Sequence, residues 1–127
     1  METARRILEL MFLTAWADSR LEGSEAIAIR KLAAQVPLLR EVGHTSDIEV
    51  TTKQRLQQQG LDFCVREAAQ PIVNAAHRQL AFSACAKVSG ADGAFDPREA
   101  QVLHILREVW QLAPEDVERM LVLSTRP

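Results

Sequence analysis

Shifted by 74 residues, the sequence falls on itself: Ala17-Asp18 on Ala91-Asp92, Glu22 on Asp96, Glu25-Ala26 on Glu99-Ala100, Leu32 on Leu106 and Leu38 on Leu112. Leu21 and Phe95 match in character, and the apolar positions ahead of each loop stay in phase. Each copy therefore reads as a helix, a short acidic loop and a second helix. Two copies of so long a period are too few for a solenoid, in which several repeats must stack to bury a continuous core. The period predicts instead two pseudo-symmetric helix-loop-helix halves packed into one domain, an arrangement able to bring the two acidic loops together.

The rest of the chain carries the same helical signature. Only five Gly and five Pro interrupt 127 residues, which favours long helices over many short strands. A first helix is predicted over about 2–17. In a second, Ile29, Leu32, Ala33 and Val36 recur at helical spacing, and it ends before Pro37. Residues 37–46 read as a loop, from Pro37, Gly43, His44 and Ser46. The stretch 47–59 mixes β-branched Ile48, Val50, Thr51 and Thr52 with a helix-friendly second half, and is assigned as a helix capped by Ser46 or Asp47. Leu61, Cys64, Val65 and Ala68 give a fourth stripe. Pro71 is placed at the start of the next helix, with Val73, Ala76, Leu80, Ala84 and Val88 as its buried face. Asp96-Pro97-Arg98-Glu99 opens another, with Val102, Leu106 and Val109 on one face; a short last helix from Pro114 buries Val117, Met120 and Leu121. The expected fold class is all-α, about seven helices, in a single domain over residues 1–127.

Composition narrows the functional classes. Fifteen Lys and Arg stand against seventeen Asp and Glu, a formal charge of −2, without the basic surplus of a nucleic-acid binder. Four Phe, two Trp and no Tyr make stacking platforms poor candidates. No run approaches the ~20 apolar residues of a membrane span. Arg5-Arg6 followed by Ile7–Ala15, with Ala15-Trp16-Ala17 behind, imitates a secretory leader. Glu9 interrupts that run, however, and Ile7, Met11 and Ala15, beside Leu8 and Phe12, form the stripe of a packed core helix. Cys64 and Cys85 lie in apolar helical stretches without CxxC or Cys/His ligand spacing, so both are read as buried thiols in a cytoplasmic protein.

The acidic loops hold the chemistry. Asp18, Glu22 and Glu25 repeat as Asp92, Asp96 and Glu99, at offsets of 0, 4 and 7. Three carboxylates converging on one loop form an oxygen-donor set of the kind a hard divalent cation takes. The second loop also reproduces half of an EF-hand: with Asp92 at position 5, Gly93 takes the turn, Asp96 position 9 and Glu99 position 12. Positions 1 and 3 would be Val88 and Gly90 there, and Thr14 and Trp16 in the first copy, which excludes a high-affinity EF-hand. A structural reading stays open beside the cation. Asp96, Pro97 and Glu99 make a near-ideal N-cap, N1 and capping box, and Glu22 through Glu25 a weaker one. Asp18 and Asp92, four residues earlier, are less readily explained by capping.

The run from Ala84 to Glu99, with Ala91-Asp92-Gly93 at its centre and Leu103, Leu106 and Trp110-Gln111-Leu112 beyond, resembles the second half of a TerB-like (tellurite-resistance protein B) domain. Ala17-Asp18-Ser19-Arg20-Leu21-Glu22-Gly23-Ser24-Glu25 resembles its first half, with Ser19 where Gly is usual. The resemblance spans roughly residues 4–122, apart from 37–60. It implies an all-α domain of about seven helices, associated with stress response and tellurite resistance; the non-catalytic reading comes from the absence of catalytic motifs. The resemblance also implies a divalent-cation site (Ca²⁺, Mg²⁺ or Mn²⁺) carried by Asp18, Glu22, Glu25, Asp92, Asp96 and Glu99.

Catalytic signals are weak. His44, His77 and His104 are scattered, none in a nucleophile–base or zinc motif, and His104 with Glu108 reads as an exposed polar pair. The rival to cation binding is a helical scaffold for a protein partner or a homodimer, with Leu38, Leu39 and Val122 as candidate exposed apolar contacts and the acids only starting helices.

Overall fold

The computed structural model describes residues 2–17, 23–43, 45–89 and 97–117. Every regular element among them is helical: α1 (Glu2–Ala15), α2 (Gly23–Gln35), α3 (Pro37–Arg40), α4 (Ser46–Gln59), α5 (Leu61–Ala69), α6 (Ala75–Ser89) and α7 (Pro97–Trp110), with residues 114–117 helical beyond them. The fold is all-α, as the periodicity predicts.

The repeat is written into the helix boundaries. Moved by 74 residues, α1 and α2 land on α6 and α7 to within one residue at every end. The packing is reciprocal too. α1 lies on α6, each packs on its own following helix, and each also touches the second helix of the other half, α1 on α7 and α6 on α2. Exchanging the halves leaves this pattern unchanged. Matched positions on the central pair are buried together, and their sizes complement: Ile7, Leu10, Met11 and Phe12 of α1 correspond to Ala81, Ala84, Cys85 and Ala86 of α6, whereas Leu8 corresponds to the larger Phe82. Small residues on α6 leave room for large ones on α1, which is how interdigitated layers reach interior packing density.

The middle of the chain breaks the symmetry. α4 and α5 pack on α1, α5 also on α7, and α3 fills in against α1 and α2. Leu13 of α1 is therefore buried beside Thr52, Arg55 and Cys64, while its counterpart Lys87 on α6 is exposed. With helices on all sides, α1 is buried from Leu10 through Trp16 without a break. A helix apolar all round is a core helix, and this one has the composition of a leader segment because nothing on it beyond Glu9 needs water.

Three local assignments change. Residues 37–46 are not all loop: Pro37 follows Val36 in extended conformation and starts the short α3, which buries Leu39 (1% exposed) and leaves Leu38 half-buried, so Leu39 is core and no partner contact. Val122 lies outside the described residues. α4 begins at Ser46 with Thr45 as N-cap, and no side chain caps it. α6 begins at Ala75, not Pro71, because the Asn74 side-chain oxygen accepts from the backbone N–H groups of Ala76 (2.8 Å) and His77 (3.2 Å). Val73 is then 75% exposed, and Ile72 is the residue buried at this corner.

Two anchors fix the corner between α5 and α6 against α7. The indole N–H of Trp110 donates to the Ala69 carbonyl at 3.0 Å, at the last residue of α5. Arg78 donates to the Ile72 carbonyl at 2.7 Å and lays its guanidinium over the Trp110 ring, 5.8 Å from the centroid. α7 closes directly afterwards. Gln111, at φ 51°, donates to Glu108, and Leu112 donates to Arg107, the paired bonds of a Schellman motif.

Candidate functional site

Asp18, Glu22, Asp92 and Asp96 lie outside the described residues. Glu25 and Glu99 are each the third residue of their helix, α2 and α7, with side chains outside the described set. What the structure places is the frame from which both acidic segments depart. The side chains of Thr14 and Cys85 meet across the α1–α6 contact. Thr14 is one residue from the end of α1 and Cys85 four residues from the end of α6. At 1.5 Å per residue, both helices end within about 6 Å of that contact along their axes. Two helix C-termini, with the partial negative charge of their last carbonyls, thus end close together. α1 has no basic residue in its last turn to neutralise that charge; α6 has Lys87. Each acidic segment leads from such an end to the N-terminus of the helix carrying Glu25 or Glu99.

Around this frame both thiols are buried and their pKa values are raised. Burial pushes the Cys85 thiol up to about 12, opposed in part by the Thr14 side chain. Thr14 itself donates back to the Leu10 carbonyl at 2.8 Å, so this buried hydroxyl is satisfied within α1. Cys64 is also raised by burial, against the nearby Arg55. Both thiols are free and buried, as their apolar context predicts. A thiol held protonated away from solvent is a poor nucleophile at neutral pH.

Several of the remaining charged groups form surface pairs. Arg55 of α4 is ion-paired with Glu67 of α5. Arg66 meets Asp62 at 2.9 Å and Glu108 at 3.5 Å, and the Asp62 bond raises the already high guanidinium pKa. His104 pairs with the same Glu108 at 3.2 Å, in the exposed setting its spacing predicts. Among the described residues, no group of three or more His, Cys, Asp or Glu side chains is close enough to hold a metal, and none of the described helices is long and apolar enough to cross a membrane.

Two surface hollows were not legible in the sequence, because each collects residues from separate segments. One, of about 320 Å³, is lined by Trp16, Ala17, Lys53, Leu56, Gln57 and Leu61. The other, of about 370 Å³, lies between α2, α3 and the start of α4, with Arg30 and Arg40 on its walls. The only available signal for the first was the Lys53, Leu56, Gln57 spacing, which puts all three on one side of a helix. Comparison with protein-family models, with curated proteins and with solved structures finds no match to this chain.

Proposed function

We propose that this chain is a non-catalytic TerB-like domain of the stress- and tellurite-resistance type. In this reading Asp18, Glu22, Glu25, Asp92, Asp96 and Glu99 bind a divalent cation where its two halves meet. The observation that carries the reading is the reciprocal packing of the halves, with α1 and α6 ending beside the Thr14–Cys85 contact. Two acidic segments that start from neighbouring helix ends have a short path to a shared ion, and the carbonyl ends of two helices favour positive charge there. The buried thiols and the exposed His104–Glu108 pair support a binding role over a catalytic one.

Thermal melting with Ca²⁺, Mg²⁺, Mn²⁺ or no added cation tests the proposal. An ion at about a hundredfold its dissociation constant adds about 2.7 kcal/mol, a rise near 10 °C for a domain of this size. The rise is expected in the wild-type chain and is lost in Asp18→Asn and Asp92→Asn. No shift with any of the three ions at millimolar concentration defeats the reading.

A second reading, favoured by the placement of Glu25 and Glu99 in the first turns of α2 and α7, makes the domain a protein-interaction scaffold whose acids only start helices. It predicts no cation response and equal, small losses of stability for Glu25→Ala and Glu99→Ala, about 0.3–1 kcal/mol each.

A further inference from the structure

The 320 Å³ hollow opens between the end of α1, the second half of α4 and the start of α5. Its apolar walls are Trp16, Ala17, Leu56 and Leu61; Lys53 and Gln57, one turn apart on α4, are its polar residues and are both exposed. Trp16 is 7% exposed and held from behind by Phe12, whose ring stacks on it with centroids 5.4 Å apart. The wall it offers is therefore preformed and rigid. Among the described lining residues Lys53 is the one that carries a charge, and it makes no ion pair with a described residue. A concave, mostly apolar hollow with a few polar groups at one side is the usual form of a small-molecule site, and this volume lies at the lower end of the range of roughly 300–1,000 Å³.

We propose that this hollow binds a small amphipathic carboxylate. The carboxylate pairs with the Lys53 ammonium and accepts from the Gln57 amide, and the hydrocarbon body lies against Trp16, Leu56 and Leu61. An alkylammonium of the same length meets a like charge at Lys53, and a neutral alcohol gains the apolar contact alone. The proposal does not rest on the cation reading.

Trp16 supplies its own reporter. The only other tryptophan, Trp110, is buried in the α5–α7 corner with its N–H on Ala69, so in full-length Trp110→Phe the emission comes from the hollow. Titration with sodium octanoate is expected to change that emission saturably, with octanol weaker and octylammonium weakest. Lys53→Gln is expected to weaken octanoate about three- to fivefold, the size of an exposed ion pair, and to leave octanol unchanged. Leu56→Phe, which fills the hollow, is expected to abolish the octanoate response. If Trp110→Phe loses its cooperative melt, calorimetric titration of the unaltered chain makes the same three-ligand comparison. No saturable response, equal binding of octanoate and octylammonium, or indifference to Lys53→Gln each overturns the proposal.

Discussion

At the scale of single residues, the buried thiol of Cys85 ties stability to pH. Its folded pKa, about 12, lies above the value near 9 of an exposed thiol. The folded state therefore holds the proton more tightly. The stabilisation is complete below about pH 9 and is lost as pH climbs toward 12, where the unfolded chain has shed a proton that the folded chain keeps. Urea unfolding at pH 7 and pH 10 should show the wild-type chain losing stability over that interval and Cys85→Ala losing less, although the variant starts lower because of the missing sulfur. Gln111 offers the opposite case. It holds φ 51° at the end of α7 without the freedom of glycine, a conformation that costs an L-residue roughly 1–2 kcal/mol. Gln111→Gly keeps both Schellman bonds and relieves that strain, and the larger backbone entropy of glycine in the unfolded chain takes back part of the gain. The expected outcome in chemical denaturation is a net increase of about 0.5–1 kcal/mol.

Among the helices, legibility followed range. Helices with a long apolar stripe, α1, α2, α5 and α7, were readable from period alone, and so was the register of the repeat. Two of the three misassignments fall at prolines. Pro37 ends one helix but also starts α3, because its fixed φ suits a first helical position and its missing N–H costs nothing there. Pro71 has the same local suitability, yet the helix waits for Asn74, whose side chain can satisfy two N–H groups that a proline start leaves unpaired. The Trp110–Ala69 bond and the two hollows were beyond sequence reading for a different reason: each depends on which helices become neighbours across the fold. Of the candidate site, the acids and their spacing were legible, whereas the closeness of the α1 and α6 ends had to come from packing. The Asn74 cap has a direct measure. Asn74→Ala should cost about 1 kcal/mol, within a range of about 0.5–2, seen as a lower urea midpoint with an unchanged slope.

For the whole molecule, the repeat organises the core around one helix. α1 touches α2 through α7, so opening any face of the domain exposes part of it. Native-state hydrogen exchange should accordingly find the amides of Leu10, Met11 and Leu13 among the slowest. They should exchange through global unfolding, while the ends of α4, which packs on α1 from one side, exchange through local opening. Protection in α1 no higher than in α4 would count against a core built on the N-terminal helix. The order of synthesis adds one more consequence of that central position. α1 is synthesised before α6, which covers its most closely matched face and emerges some 74 residues later, about 4–15 s at ordinary elongation rates. Through that interval the face of α1 that α6 will cover stands open to water and to chaperones, a cost in exposed apolar surface that the folded domain no longer shows.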